Sequence, residues 1–321
     1  MSRTSFSFRE AASPPAAVEV AAGRISAAVV ETRAGSPVVV AHVAESLPTG
    51  ALVPSLTINN VRDPNATAGV MKRVLDRIGR PRRVGLVVPD PVAKVSLVKF
   101  EHVPQRAQDL DQLVRWQVRK AAPFPIEEAQ VSYVAGGHQS DGQEFIVSVA
   151  RRDIIEEYES LCAAAGAHAG VVDLSTFNVI NAVLAGGGPL RPDWLLVNVA
   201  PDWASIAILR GADLIFFRSR GAEGDGTLAD LIHQTAMYYE DRLKGGGFER
   251  VMLCGASNLR ASQSSDMGQL LESLEYRLGM RVEAVDPTRA AALTDRISTA
   301  SALLDTLAPL VGVLLRDREA A

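Results

Sequence analysis

One arrangement of apolar runs occurs twice in this chain, and that repetition limits its fold more than any other feature. Ala17–Val20, Ile25–Val30 and Val38–Val43 are separated by the small residues Ala21, Ala22 and Gly23 and by a turn at Gly35. Later, Leu195–Val199, Ser205–Leu209 and Leu214–Phe217 are separated by Ala200, Pro201 and Asp202 and by Gly211. Setting Val18-Glu19-Val20-Ala21-Ala22 on Val197-Asn198-Val199-Ala200-Pro201 superposes the two. Short apolar runs bounded by turn residues predict antiparallel meanders. A helix follows each. Ala68–Ile78 stops at Gly79, with Pro81 beyond, and leads into the buried strand Val84–Val88. Leu228–Leu243 stops at Gly245–Gly247 and leads into Val251–Cys254. Meander, helix, strand, stated twice, predicts a duplicated α/β fold and excludes a helical bundle.

Between the repeats lies an additional segment. Lys94–Lys99 reads as a strand, and Asp109 as the cap of a helix to about Ala122 with Leu110, Leu113, Val114, Val118 and Ala121 on its apolar face. Val131–Val134 and Phe145–Ala150 read as strands around the loop Gly136–Gly142. Asp153 then reads as the cap of a helix carrying Ile154, Ile155, Tyr158, Leu161, Cys162 and Ala165, closed by Gly166. Together these predict an α+β module inserted at about residues 92–165. The division is a lead at 1–16, a first domain at 17–190 containing the module, a second domain at 191–316 and a tail at 317–321. Ala302–Leu315, apolar on nearly all sides, is expected to lie buried against the second domain's sheet.

Composition removes several function classes. Lysine and arginine total 33 against 37 acids, a net charge of −4, without the basic excess of a nucleic-acid binder. Cys162 and Cys254 stand alone, so neither a disulfide framework nor a structural zinc site is expected. No uncharged apolar stretch reaches the roughly 18–20 residues of a spanning helix. The first residues lack the apolar core of a signal peptide; Phe6 and Phe8 beside Arg3 and Arg9 read as part of a frayed tail. The basic run Lys72–Arg83 reads as a solvated helix face. Gly186-Gly187-Gly188 follows a helix, not a strand, so it is a helix stop rather than a dinucleotide loop. With no nucleophile elbow either, a small-molecule enzyme has little support.

Small-residue turns after strands that end in a carboxylate suit magnesium and phosphate, because backbone N–H groups come close only where no bulky Cβ intervenes. Two facing turns would clamp a nucleotide. The first offers Glu19, Ala21, Ala22 and Gly23, and the second Asn198, Ala200, Pro201 and Asp202. Both are weak: Glu19 is longer than aspartate, Asn198 is neutral, and Pro201 lacks an N–H. The structural reading, paired hairpins without a ligand, is preferred.

The double meander, the inserted module and several local strings resemble the PilM family of type IV pilus assembly. They are also similar to the cytoplasmic part of the type II secretion L protein. The string Leu113–Tyr133, with Pro123-Phe124-Pro125 at its centre, carries the resemblance most specifically. It continues through Phe145–Asp173, Gly211–Leu214 and Val251–Leu259, covering roughly residues 17–316. The resemblance implies an actin-like (ribonuclease H-like) fold, ATP and magnesium between two lobes, and a grip on the N-terminal cytoplasmic tail of a PilN-like inner-membrane protein. It implies a place at the inner face of the inner membrane, reached through partners. It also marks departures. The family's Asp-Ile-Gly is Glu19-Val20-Ala21 here, its second Asp-x-Gly is Asn198-Val199-Ala200, and its adenosine Gly-Gly is Gly255-Ala256. The several tens of residues that normally follow Arg218–Gly226 are missing, so a reduced second lobe is expected. The expectation is an adaptor rather than an enzyme, without catalytic or metal-ligating residues. Its nucleotide site is degenerate at Glu19, Gly23, Asn198, Asp202 and Gly255. The partner groove is expected at Val95, Leu97 and Val98 with Trp116, Phe124 and Ile126. The alternative is a working actin-like ATPase of the same machine.

Overall fold

A computed structural model describes residues 14–139, 141–187, 193–221, 228–259, 271–272, 275–276, 279–294 and 300–316 of the 321. Phe6, Phe8, Arg3, Arg9, Gly188 and the 317–321 tail lie outside them.

Both meanders form. The first is β1 (Ala16–Ala21), β2 (Arg24–Arg33) and β3 (Ser36–Ser46). Helix α1 (Pro64–Arg77) and strand β4 (Arg83–Val88) follow. Asp63 caps α1 through its side chain on the Ala66 N–H, Pro64 opens the helix, and Gly79 ends it at φ 95°. The second meander is β9 (Asp193–Val199), β10 (Trp203–Arg210) and β11 (Asp213–Gly221), then α5 (Leu228–Arg242) and β12 (Arg250–Cys254). Strand β8 (His168–Leu174) completes the first sheet beside β4, and β13 (Val282–Ala284) completes the second beside β12. The first sheet runs β14-β3-β2-β1-β4-β8, with β14 at Ala292–Leu293, and the second β11-β10-β9-β12-β13. Apart from β14 the orders correspond strand for strand. Glu19 pairs with Ser26 and Val87, and its counterpart Asn198 pairs with Ser205 and Cys254. The sequence alignment is therefore the structural one. Both central strands are apolar on both faces because each sheet is covered on both sides.

The inserted segment builds a sheet of its own, β5-β7-β6, from β5 (Ala93–Phe100), β6 (Ala129–Gln139) and β7 (Gly142–Arg151), backed by α2 (Ala107–Val118). Asp109 and Asp153 are not caps. Arg106 and Arg151 hold the cap positions of α2 and of α3 (Arg152–Ala164), and each aspartate lies inside the first turn, where it suits the helix dipole. Helix α3 packs with α1: Ile154, Tyr158, Leu161 and Cys162 join Val70, Met71 and Val74 in the first lobe's core.

The closing helix α6 (Ser301–Leu315) corrects a second expectation. It lies mainly against α4 (Ser175–Ala185) and strands β1, β2 and β4 of the first sheet, and only Ala308 joins the core of the second sheet. Gly312 allows this: a Cβ there would stand 1.7 Å from the Asn178 carbonyl oxygen of α4. Val313 fills the space left by Gly85, 3.1 Å from where its Cβ would be.

Candidate functional site

A cleft of about 250 Å³ opens between the lobes. The β1–β2 turn, the β9–β10 turn, the turn after β12, the start of α4 and one face of α6 enclose it. Glu19, Gly23, Asn198, Asp202 and Gly255, widely spaced in sequence, all line it. Their chemistry is specific. Glu19 is 6 % exposed, and both its carboxylate oxygens are engaged. Arg24 Nη2 donates to Oε2 at 3.0 Å, Ser26 Oγ to Oε2 at 3.2 Å, and Ser175 Oγ to Oε1 at 3.4 Å. A guanidinium thus sits on the carboxylate that a working phosphate clamp would offer to magnesium.

Asn198 is turned to another use. Its Nδ2 donates to Thr176 Oγ1 at 2.9 Å, and that hydroxyl donates to Asp90. The Thr176 N–H reaches the other Asp90 oxygen at 3.0 Å. Burial pushes the Asp90 carboxyl up to about 6, against the opposing pull of the Thr176 hydrogen bonds. This buried chain of side chains ties β9 of the second lobe to the first.

The β9–β10 turn spends the Ala200 N–H on the Trp203 carbonyl at 2.8 Å, and Pro201 has none to offer. Asp202 is half-buried, and burial raises its carboxyl above the usual range. Gly23 faces open space, so its missing Cβ answers no crowding; its carbonyl accepts from Leu47 N–H at 2.9 Å. Gly255 is different: at φ 89°, a Cβ would meet the Val199 carbonyl oxygen at 1.9 Å. Asp305 of α6 holds the adjoining turn through the Ser257 N–H at 2.9 Å. Sequence reasoning missed Arg24, Ser175 and Asp305. A cation just past a small-residue turn is a readable signal for Arg24; the other two arrive by tertiary packing. Among the described residues no group of three His, Cys, Asp or Glu stands close enough to hold a metal.

The six partner candidates do not share one surface. Val95 packs on the first lobe's core and Leu97 on the core shared with the second lobe. Val98, Phe124 and Ile126 pack into the module's own core. Trp116 is 56 % exposed on α2, with the Arg119 guanidinium 4.8 Å from its ring centre. A second hollow, of about 490 Å³, lies between the module and the first lobe. Ser132, Ser148 and Ala150 of β6 and β7 form one wall, and β8 with Ile155 and Glu159 of α3 forms the other. Among the described residues strand β8 is the edge of its sheet, so one row of its backbone groups has no described strand beside it. Asp173 lies at its floor, its carboxyl raised by burial.

Two sheets of matching order, a cleft between them and a module on the first lobe define an actin-like ATPase fold. A solved structure titled as a PilM–PilN type IV pilus biogenesis complex is similar in fold, at 19 % identity and a TM-score of 0.75, covering 94 % of this chain and 96 % of that one. The family model for type IV pilus assembly protein PilM matches residues 17–245, and the chain belongs to that family. The cytoplasmic domain of EpsL, an inner membrane component of the type II secretion system of Vibrio cholerae, is also similar, at 9 % identity and a TM-score of 0.46, covering 74 % of this chain and 80 % of that one. An actin-like protein of unknown function from Bacteroides thetaiotaomicron stands at 10 % identity and a TM-score of 0.47, covering 84 % and 89 %. No curated protein matches.

Proposed function

We propose that this chain is an adaptor of type IV pilus assembly whose cleft has lost magnesium–nucleotide chemistry, and whose hollow beside β8 holds the N-terminal tail of a PilN-like inner-membrane protein. The single observation that carries the first half is the Arg24–Glu19 pair. A magnesium–triphosphate site needs free carboxylate oxygens, backbone donors and a base pocket acting together. Here the carboxylate has its own cation, Asn198 is committed to Thr176, and one turn is short of donors. An extended peptide suits the other site, because a free strand edge supplies main-chain hydrogen bonds and the flanking walls supply side-chain selectivity. In this reading the chain works at the inner face of the inner membrane. A pilus role is preferred to secretion because the family model is that of pilus PilM.

Thermal unfolding with and without millimolar Mg-ATP tests the cleft. A midpoint that does not move is the expected result. Ligand at a hundred times its Kd would add about 2.7 kcal/mol, and a rise of that size would restore the ATPase alternative. For the hollow, Ser148→Trp should weaken capture of the partner's tail peptide at least tenfold, with Trp116→Ala leaving it unchanged. Loss at Trp116 but not at Ser148 moves the peptide to the outer face of α2.

A further inference from the structure

The exposed face of α1 and the strand starts beside it carry a charge that the adaptor reading does not use. Residues 72–83 hold six lysines and arginines and one carboxylate, net +5, in a chain of net −4, so the remaining residues carry −9. Lys72, Arg73, Asp76, Arg77 and Arg80 recur along one exposed stripe, opposite the buried Val70, Met71, Val74 and Leu75. The chain then reverses through Gly79 and Arg80, both at positive φ, and sets Arg82 and Arg83 at the start of β4. The Arg82 carbonyl accepts from the His168 N–H at 2.8 Å, which adds an exposed imidazole at the start of β8.

Two acids form ion pairs with this stripe. Glu45 of β3 holds Arg73 at 2.7 Å and Arg77 at 3.4 Å, so one carboxylate serves two guanidiniums. Asp76 holds Arg80 at 2.7 Å. Residues 72–83 together with Glu45 carry net +4.

We propose that this face docks directly on an anionic lipid surface. Four to eight clustered cations on an amphipathic helix suit acidic headgroups. A planar membrane meets only the face presented to it, whereas a long nucleic acid would continue onto the strongly acidic remainder of the molecule. Among the described residues of the stripe there is no aromatic ring on which a base could stack. The inference stands apart from the peptide reading, and vesicle binding by the isolated chain is measured without any partner.

Sedimentation of the full chain with vesicles tests it, comparing equal parts phosphatidylcholine and phosphatidylglycerol with phosphatidylcholine alone. The chain should pellet with the first and not the second, and added salt should release it. Each cation near such a surface contributes roughly fivefold to partitioning, so Lys72→Glu with Arg80→Glu and Arg82→Glu, which removes three cations and adds three acids, should cost at least about a hundredfold. The matched reversal on α2, Arg106→Glu with Arg119→Glu and Lys120→Glu, should cost little. Should the triple variant melt early, the milder Lys72→Gln with Arg82→Gln should still lose about tenfold or more. Equal binding to both vesicles, no binding to either, or equal loss from the α2 reversal overturns the proposal. So does tighter binding to a double-stranded DNA oligomer than to the anionic vesicles at the same salt.

Discussion

Arg24 and Glu19 lie on the two strands of a tight hairpin and share one charge-assisted hydrogen bond, with the carboxylate buried. Removing one partner of such a pair strands the other, which costs about 3 kcal/mol, while removing both is far milder. Arg24→Met should therefore lower the denaturant-derived stability by roughly that amount, and adding Glu19→Gln should return most of it. A double variant no better than the single would show that Arg24 acts through packing alone. His42 and Asp90 make a second residue-scale prediction. Burial, with Arg24 nearby, holds the His42 imidazole down to about 4 from 6.5, so its share of stability is present above pH 6.5 and is lost as pH falls toward 4. Burial lifts the Asp90 carboxyl from 3.8 to about 6, so its share is present below pH 3.8 and is lost as pH rises through 6. Each shift is worth about 3 kcal/mol, so between pH 4 and 6 the two oppose each other. His42→Gln should make stability grow on acidification across that window, and Asp90→Asn should make it fall. Unfolding curves at several pH values with unchanged slopes in both variants would refute the pairing.

At the scale of elements, glycine decides where pieces meet. Gly255→Ala and Gly312→Ala each drive a Cβ into a backbone carbonyl, at 1.9 Å and 1.7 Å, so neither neighbour can yield by rotating a side chain. Each should cost about 3 kcal/mol or more by calorimetry. Gly23→Ala, with open space around it, should cost under about 1 kcal/mol. The same elements show what the sequence discloses. Both meanders and both following helices were legible because each run is apolar and bounded by turn residues, so local pattern and tertiary role agree. The alignment of Glu19 with Asn198 is legible in the sequence, and both residues line one cleft. Helix α6 was legible as a buried helix, but an element apolar all round carries no mark of which sheet it covers. Asp109 and Asp153 misled because an aspartate in the first turn and one at the cap leave the same trace in a sequence. The hollow beside β8 was invisible, because a strand is an edge only by what fails to join it.

For the molecule as a whole, the question is how freely its lobes move. The module sheet has two faces. Val131, Tyr133, Val147 and Val149 turn to α2, while Leu97 and Ile146 turn to the second lobe and pack with Phe177 and Phe217. The two phenylalanine rings lie 5.3 Å apart, one from α4 and one from β11, so an apolar seam crosses from lobe to lobe. The chain Asn198–Thr176–Asp90 crosses beside the cleft, and α6 returns from the second lobe to cover the first sheet. A hinge that closes on a nucleotide must slide all three, and a scaffold gains from holding them still. Weakening the apolar seam should therefore loosen the cleft without unfolding either lobe. Leu97→Ala with Phe217→Ala should cost several kcal/mol, roughly 2–5 for each side chain at full burial and less at these partly buried positions. Amide exchange then reads where the loosening goes. Faster exchange at Ala200–Trp203 and Ser257, with the central strands β1 and β9 still protected, is the expected pattern. Uniform acceleration through both sheets would mean that the seam supports the lobes themselves rather than their relation to each other.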